Sequence, residues 1–86
     1  MRIHATYMAA DTQVHTGKCY YIGSWVTSSE TAQIYNVEAA ASAATANQVA
    51  RNVGSFQMLP LPGVLCSNGI YCANSDNACI VYWAED

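Results

Sequence analysis

The sequence predicts a small antiparallel β-sandwich, jelly-roll-like in character, formed by residues 1–86 as a single domain. Short β-branched and aromatic runs alternate with Pro, Gly and Asn turn signals, most regularly after Phe56, which is typical of all-β domains. A chain of 86 residues is the size of one domain. Only 10% of its residues are charged, against about 25% in typical soluble domains, which favours burial against other protein.

In the first half, we expect two short extended segments within residues 2–14 and a strand over residues 19–27, introduced by a Gly-Lys turn. Alternation puts Cys19, Tyr21, Gly23, Trp25 and Thr27 on one face of that strand, and Tyr20, Ile22, Ser24 and Val26 on the other. Residues 28–29 are a turn candidate. Residues 31–37 can then pair back onto the strand as a hairpin.

Residues 38–46, Glu-Ala-Ala-Ala-Ser-Ala-Ala-Thr-Ala, leave two interpretations open. Alanine is the strongest helix former, so propensity favours a helix that could continue to Arg51. However, no large apolar residue recurs at helical spacing to anchor such a helix to a core. We therefore favour a surface loop, followed by a short strand over residues 48–53 that Gly54-Ser55 ends.

The segment after Phe56 predicts an edge or a corner of the sandwich. Residues 56–59 are extended, and Pro60 and Pro62 cannot donate ladder hydrogen bonds, so Leu-Pro-Leu-Pro-Gly belongs at an edge. Residues 64–66 form a short strand, and Ser-Asn-Gly turns the chain toward a final hairpin. Leu59 and Leu61 of this segment are expected to fill the core. The other predicted core residues are Trp25, Ile22 or Ile34, Leu65, Ile70 and Val81.

The predicted final hairpin is apolar on both faces. If residues 74–77 form its loop, Cys72 lies opposite Cys79. One face then carries Ile70, Cys72, Cys79, Val81 and Trp83, and the other carries Tyr71, Ala73, Ala78, Ile80 and Tyr82. Antiparallel sheets normally leave one face in water. This hairpin is therefore expected at the centre of a sandwich, or with one side buried against a neighbouring subunit.

Cysteine and histidine give no motif for chemistry. None of Cys19, Cys66, Cys72 and Cys79 forms a C-x-x-C pair, which argues against a zinc ribbon or a redox motif. Buried free thiols, a disulfide between the last two, and a metal site stay open as interpretations. His4 and His15 are candidates for surface or interface positions, or for a metal site completed by a carboxylate. No nucleophile–base pattern or phosphate loop is present, so we expect no enzyme activity, catalytic residue, metal or cofactor.

Charge and hydropathy exclude further classes. The net charge is −3, with only Arg2, Lys18 and Arg51 positive, so we expect no nucleic-acid partner. No run approaches the roughly 20 apolar residues of a membrane helix, so no membrane partner is expected. The N-terminus begins with Met1 and has no apolar core of a secretory signal, which predicts synthesis in the cytoplasm and fewer disulfides.

Five short stretches occur in an order seen in a known class of protein. They are Gly17-Lys18-Cys19-Tyr20, Ile34-Tyr35-Asn36-Val37, Leu61-Pro62-Gly63-Val64, Asn68-Gly69-Ile70-Tyr71 and Ile80-Val81-Tyr82-Trp83. The pattern resembles small β-sandwich virion structural proteins of tailed bacteriophages, which include capsid decoration (cement) proteins and tail or fibre appendage subunits. The resemblance implies a non-enzymatic protein without a cofactor, located in the virion after assembly in the host cytoplasm.

The expected function is therefore a capsid decoration protein that stabilises the head lattice. The alternatives are a tail or fibre appendage subunit, a carbohydrate- or receptor-binding module, and a small secreted disulfide domain. The expected partners are further copies of the chain in a homo-oligomer, with a trimer as the first expectation, and the major capsid protein or other virion proteins. An aromatic side chain left in water forgoes about 1.5–3 kcal/mol of burial, so Tyr20, Tyr71 and Tyr82 are the predicted subunit contacts.

Overall fold

The computed structural model describes residues 1–27, 30–74 and 78–86. Within them, nine strands form two antiparallel sheets that pack face to face, so the predicted β-sandwich is confirmed. The strands are β1 (Arg2–Met8), β2 (Thr12–Thr16), β3 (Cys19–Val26), β4 (Thr31–Tyr35), β5 (Gln48–Val53), β6 (Phe56–Met58), β7 (Val64–Cys66), β8 (Gly69–Asn74) and β9 (Cys79–Glu85). Sheet A has the order β1-β9-β3, and both β6 and β7 pair with the far edge of β3. Sheet B has the order β2-β8-β4-β5.

The core lies between the two sheets and is built from alternating inward residues of both. Strand alternation sends every second side chain to the same face, and the central strands β3, β4, β8 and β9 each contribute two or three side chains to the core. The apolar core residues of the described chain are Met8, Cys19, Tyr21, Val26, Ala32, Ile34, Cys66, Ile70, Cys72, Cys79, Val81 and Trp83. Val14, Val49, Ala50 and Leu59 pack against this cluster from its margin.

A polar network crosses the core and joins the sheets. The Tyr21 hydroxyl donates to Gln57 Oε1 at 2.8 Å and lies 2.8 Å from Ser24 Oγ. Asn52 of sheet B donates through Nδ2 to Ser24 Oγ at 2.9 Å, and it also accepts from the Ser55 hydroxyl at 2.7 Å. Buried polar groups are costly unless they are paired, and this chain of bonds pairs them. The network therefore fixes how sheet B sits on sheet A.

The prediction that the last two strands pair as a hairpin is wrong, although the prediction of which of their side chains share the inward face is right. Strand β8 pairs with β2 and β4, whereas β9 pairs with β1 and β3, so the chain crosses from sheet B to sheet A after Asn74. Because the two strands are equally apolar, their composition could not tell which strands they pair with. The residues predicted to share one face are all buried in the core: Ile70, Cys72, Cys79, Val81 and Trp83. The predicted loop residues 75–77 lie outside the described residues.

Two of the predicted core residues, Trp25 and Leu65, are exposed, and a bulge in β3 explains the error at Trp25. Tyr21 pairs with Trp83, but Gly23 pairs with Tyr82, so Ile22 is an extra residue that reverses the alternation after it. Trp25 consequently points out of the sandwich and is 37% exposed. Leu65 of β7 pairs with Tyr20 on the same outer side and is 50% exposed.

The predicted pairing of residues 31–37 with the preceding strand is also wrong. Strand β4 lies in sheet B between β5 and β8, while β3 lies in sheet A. The turn candidate at residues 28–29 lies outside the described residues. The two strands face each other across the core instead of sharing a ladder.

The alanine-rich stretch is an irregular surface link, as predicted. It contains two single 3₁₀ turns, Ala40–Ser42 and Thr45–Asn47, neither of which buries a residue. Asn36 N donates to Asn47 O at 2.9 Å, and Asn47 Nδ2 donates to Ser42 O at 2.9 Å, which holds the link against the end of β4. The predicted strand after it is β5.

The Leu-Pro-Leu-Pro-Gly segment is a turn between two edge strands, as predicted, but Leu61, which was expected in the core, is 60% exposed. It connects β6 to β7, which lie one after the other along the same edge of β3. The Leu61–Pro62 peptide is cis, and Gly63 N donates to Pro60 O at 2.8 Å. Gly63 has a φ of 82°, and a Cβ there would overlap the Tyr21 carbonyl, so only glycine fits this turn.

Candidate interaction surface

The outer face of sheet A, which points away from the core, is apolar on every strand. The ladder registers fix its members, because residues paired across strands point to the same side. This face, called the apolar outer face below, consists of Ile3, Ala5, Tyr7, Tyr20, Gly23, Trp25, Phe56, Met58, Leu65, Ile80, Tyr82 and Ala84. None of these positions carries a formal charge.

Its side chains form three rows across the sheet. The first row is Tyr7, Ile80, Trp25 and Phe56, each paired with the next across the ladder. The second is Ala5, Tyr82, Gly23 and Met58. The third is Ile3, Ala84, Tyr20 and Leu65. The large side chains of the first row cover the full width of the sheet.

Most of the exposed large apolar side chains of the described residues belong to this one face. They are Ile3, Tyr7, Trp25, Phe56, Met58 and Leu65, whereas Met1, Val53 and Leu61 lie elsewhere. Single exposed apolar residues are ordinary on protein surfaces, but a contiguous patch marks an interaction site. The clustering therefore identifies the apolar outer face as the candidate functional site.

Gly23 shapes the centre of this face. A Cβ at this position would overlap the carbonyl oxygen of Gln57 in the neighbouring strand β6, so the position requires glycine. Without a side chain at Gly23, the Phe56 ring reaches Tyr82 across β3, with ring centroids 6.1 Å apart in an edge-to-face arrangement. The aromatic surface is thus continuous from β6 to β9.

Charged groups lie at the rim of sheet A. Arg2 and His4 both contact Glu85 Oε2, at 3.2 and 2.8 Å. Burial raises the pKa of Glu85, but the hydrogen bonds and positive charges of Arg2 and His4 outweigh it, so the net pKa lies below its ordinary value. Lys18 lies 3.5 Å from Asp86.

The three predicted contact tyrosines do not lie together. Tyr20 and Tyr82 belong to the apolar outer face and are partly buried within it. Tyr71 lies on the opposite side of the protein, on the outer face of sheet B, where its ring centroid is 6.2 Å from that of Tyr35. Only the first two can share one interface.

The outer face of sheet B is more polar than that of sheet A, although it also carries Val53, Tyr35 and Tyr71. Its paired residues include Gln33 with Arg51 and Thr31 with Val53. A shallow groove of about 300 Å³ opens there, lined by Asp11, Thr31, Gln33, Arg51, Ala73 and Asn74. The Asp11 carboxylate accepts a hydrogen bond from the Asn74 backbone at 2.8 Å, so part of the polar lining already serves the fold.

The two histidines stack on opposite sides of Trp83 instead of forming a metal site. The His4 ring centroid is 4.3 Å from that of the indole, and the His15 centroid is 4.5 Å from it. His4 comes from sheet A and His15 from sheet B, so the stack closes one end of the sandwich. Trp83 Nε1 donates to Thr6 Oγ1 at 2.9 Å. The described residues contain no cluster of three or more His, Cys, Asp or Glu side chains suited to a metal.

The cysteines form two buried pairs of free thiols. Cys19 and Cys66 are ladder partners in sheet A. Cys72 of sheet B hydrogen-bonds to Cys79 of sheet A, so the predicted neighbours do meet, but across the core. Burial, then Cys66 and Glu85, raise the pKa of Cys19 to about 12, and the hydrogen bond to Cys79, then burial, raise that of Cys72. The same hydrogen bond lowers the pKa of Cys79. The three thiols whose pKa is raised, those of Cys19, Cys66 and Cys72, stay protonated and act as packing groups.

Sequence reasoning missed most of the apolar outer face. Its signal in β1 was visible, because Ile3, Ala5 and Tyr7 alternate with Arg2 and polar residues. In β3 the signal was hidden, since the bulge that turns Trp25 outward depends on the pairing with β9.

Comparisons with protein-family models, with curated proteins and with solved structures found no match. In the described residues, no helix is long and apolar enough to cross a membrane.

Proposed function

We propose that this chain is a non-enzymatic structural subunit of a virion, most specifically a capsid decoration protein, whose apolar outer face is buried in the assembled particle. The observation that carries the structural role is the concentration of exposed large apolar side chains on that face. Burial of apolar surface contributes about 25 cal/mol per Å², so a face of this kind favours association. The virion assignment is supported by the resemblance in the sequence pattern.

The distribution of charge supports a role in assembly. The chain carries few charged residues, and those of sheet A stand at its rim. An apolar centre with a polar rim is the usual anatomy of a protein–protein interface. The small size of the domain adds to this, because a domain of 86 residues has limited stability of its own and gains from its neighbours.

A carbohydrate- or receptor-binding module is the second candidate, favoured by the exposed indole of Trp25. Sugar recognition combines an aromatic platform with hydrogen-bonding side chains beside it. Here the exposed indole and the polar groove are separated, since Trp25 is on sheet A and the groove is on sheet B. Of the aromatic side chains, the pair of Tyr35 and Tyr71 lies beside that groove, where the Tyr35 hydroxyl donates to Gln33. A tail or fibre appendage subunit would use the apolar outer face in the same way as a decoration protein.

The proposal is tested by co-sedimentation of the purified protein with empty shells of the major capsid protein from the same genome. We expect saturable binding and a higher melting temperature of the shells. Phe56→Glu on the apolar outer face should weaken binding at least tenfold. Val53→Glu is its control, because Val53 is equally exposed on the outer face of sheet B, at 57% against 58%.

Two results would contradict the proposal. Absence of binding by the wild-type protein would exclude the decoration role. Equal loss of binding in both variants would show that the apolar outer face is not the buried surface.

A further inference from the structure

We infer that the occupant of the apolar outer face is the same face of a second copy of this chain, in an isologous dimer of stacked sheets. This inference rests on the proposed function, because it names the partner of the same surface. In the dimer, the order of layers is sheet B, sheet A, sheet A, sheet B. The two apolar layers are inside, and the two polar outer faces of sheet B remain in water.

The area of the face is sufficient for a dimer. Strands lie about 4.8 Å apart and side chains on one face repeat about every 6.8 Å, so three rows on four adjacent strands cover roughly 20 by 20 Å. The longer extents of the protein, 32 and 27 Å, accommodate this. With its projecting side chains, such a face exposes roughly 600 Å², and two copies bury about 1,200 Å², the lower bound of specific interfaces.

Charge argues for a second copy over a charged partner. The apolar outer face has no formal charge, so it offers nothing for a partner's charges to complement and leaves them desolvated. Two copies placed face to face bring no charges together within the face. Arg2, Glu85, Lys18 and Asp86 stay at the rim, and Arg51 stays on the far side, on sheet B. Self-association therefore has no electrostatic penalty at its centre.

The relief of the face also suits self-packing. A small exposed residue of the second row, Ala5, lies beside the large first-row side chain of Tyr7 on β1. Sheets that pack face to face interlock such projections and depressions at a spacing of about 10 Å. Both identical surfaces carry projections and depressions, so each can fill the other.

The experiment is sedimentation velocity of the full chain from about 1 to 200 µM. The inference requires a dimer whose dissociation constant lies within or below this concentration range. Ile3→Glu should raise this constant at least tenfold, because twofold symmetry places each substitution in the interface twice. Val53→Glu is the matched control. Both positions are aliphatic, on outer faces and on edge strands, with exposures of 58% and 57%.

Trp25 reports which surface is buried without any charged substitution. Its side chain is partly exposed in the first row of the face, whereas Trp83 is in the core. Dimerisation should shift tryptophan emission to the blue as concentration rises, and Trp25→Phe should abolish that shift. A dimer formed through the free edge of β1 leaves the indole in water and gives no shift. Circular dichroism and cooperative unfolding check that each variant folds, and Phe56→Glu replaces Ile3→Glu if the latter does not.

The outcomes separate this inference from the proposed function. A wild-type monomer at 200 µM, a dimer without the Trp25 shift, or equal dissociation by Ile3→Glu and Val53→Glu would each overturn the dimer. A monomer that still binds shells, and loses binding through Phe56→Glu, would leave the proposed function standing with a capsid subunit as the occupant. A dimer with the Trp25 shift that does not bind shells would retain the inference and remove the decoration role.

Discussion

The two outer faces of this sandwich differ although the two sheets have the same inner chemistry. Sheet A presents Trp25, Phe56 and Tyr7 to solvent, whereas sheet B presents Gln33 and Arg51. In both sheets the inward side chains, which alternate with the outward ones, already form the core. Folding therefore does not require an apolar outer face on either sheet. The difference indicates that the outward residues of sheet A are more apolar than folding needs, which is why we propose that side of the molecule as the contact surface.

The largest effect that we expect concerns the core, which lies between the two sheets and is common to both. It is a loss of stability at high pH. Burial raises the pKa of Cys19 from 9.0 to about 12 and that of Tyr21 from 10.0 to about 12. The unfolded chain releases these protons first as the pH rises, so the free energy of unfolding falls. The stability they contribute is complete below pH 9 and is lost as the pH rises through about 12.

Thermal unfolding followed by circular dichroism between pH 7 and pH 11 measures this loss. In the Cys19→Ala variant, the melting temperature should fall less over the lower part of this pH range. A melting temperature that stays constant from pH 8 to pH 10.5 would contradict the buried titration.

Gly23→Ala should break the apolar outer face by separating β6 from β3. The new methyl group overlaps the Gln57 carbonyl, and overpacking costs typically about 1–3 kcal/mol. Denaturant unfolding measures the loss, and emission of Trp25 reports the change at the face. Ala73→Val on sheet B is a control for added volume on an outer face. Equal stability of the two variants would show that β6 adjusts without cost.

Tyr21→Phe distinguishes inner from outer tyrosines. It leaves Gln57 Oε1 without its donor and removes a partner of Ser24, so we expect a loss of about 1–3 kcal/mol. Tyr82→Phe, on the apolar outer face, should change stability by less than about 0.5 kcal/mol. Chemical denaturation of both variants makes the comparison, and equal losses would mean that the internal network does not join the sheets as described.

The Cys72→Ala, Cys79→Ala double variant should fold, with a loss of about 1–2 kcal/mol from the vacated volume. The thiols act as packing groups, so reducing agent should not alter the stability of the wild-type protein. A thiol count after denaturation without reductant should give four. Two missing thiols, together with destabilisation by reductant, would indicate a structural disulfide.

Arg51→Ala should have the smallest effect, below about 0.5 kcal/mol, because an exposed side chain on the polar face of sheet B is solvated in either state. The dissociation constant of the dimer should be the same for this variant as for the wild-type protein. A measurable loss of dimer would place sheet B in the interface and remove the contrast between the two faces.

The sequence predicted most strand positions because local composition determines them. The strand at residues 48–53 and the short strand at residues 64–66 were placed correctly, since turn residues bound both. The inward face of the last two strands was also correct. Alternation within a strand is a local property, and it survives an error in pairing.

Pairing itself could not be predicted, because it depends on partners far away in the sequence. The bulge at Ile22 arises where β3 meets β9, and no residue in its own segment announces it. The single extra residue moved Trp25 from the predicted core to the surface. The bulge therefore both places Trp25 on the apolar outer face and prevents its position from being predicted from the sequence. The apolar character of β9 on both sides had nevertheless indicated an interface.

The position of β9 has a consequence for biosynthesis. This strand lies between β1 and β3, yet it follows every other described strand in the chain. A ribosome releases residues 2–8 long before residues 79–85, so β1 has no ladder partner until translation of the last strand is complete. Sheet A therefore cannot close during elongation, and its non-local pairing slows folding. Until then Met8 of β1 stays outside the core that it joins in the folded protein, and such transient exposure of apolar surface favours aggregation.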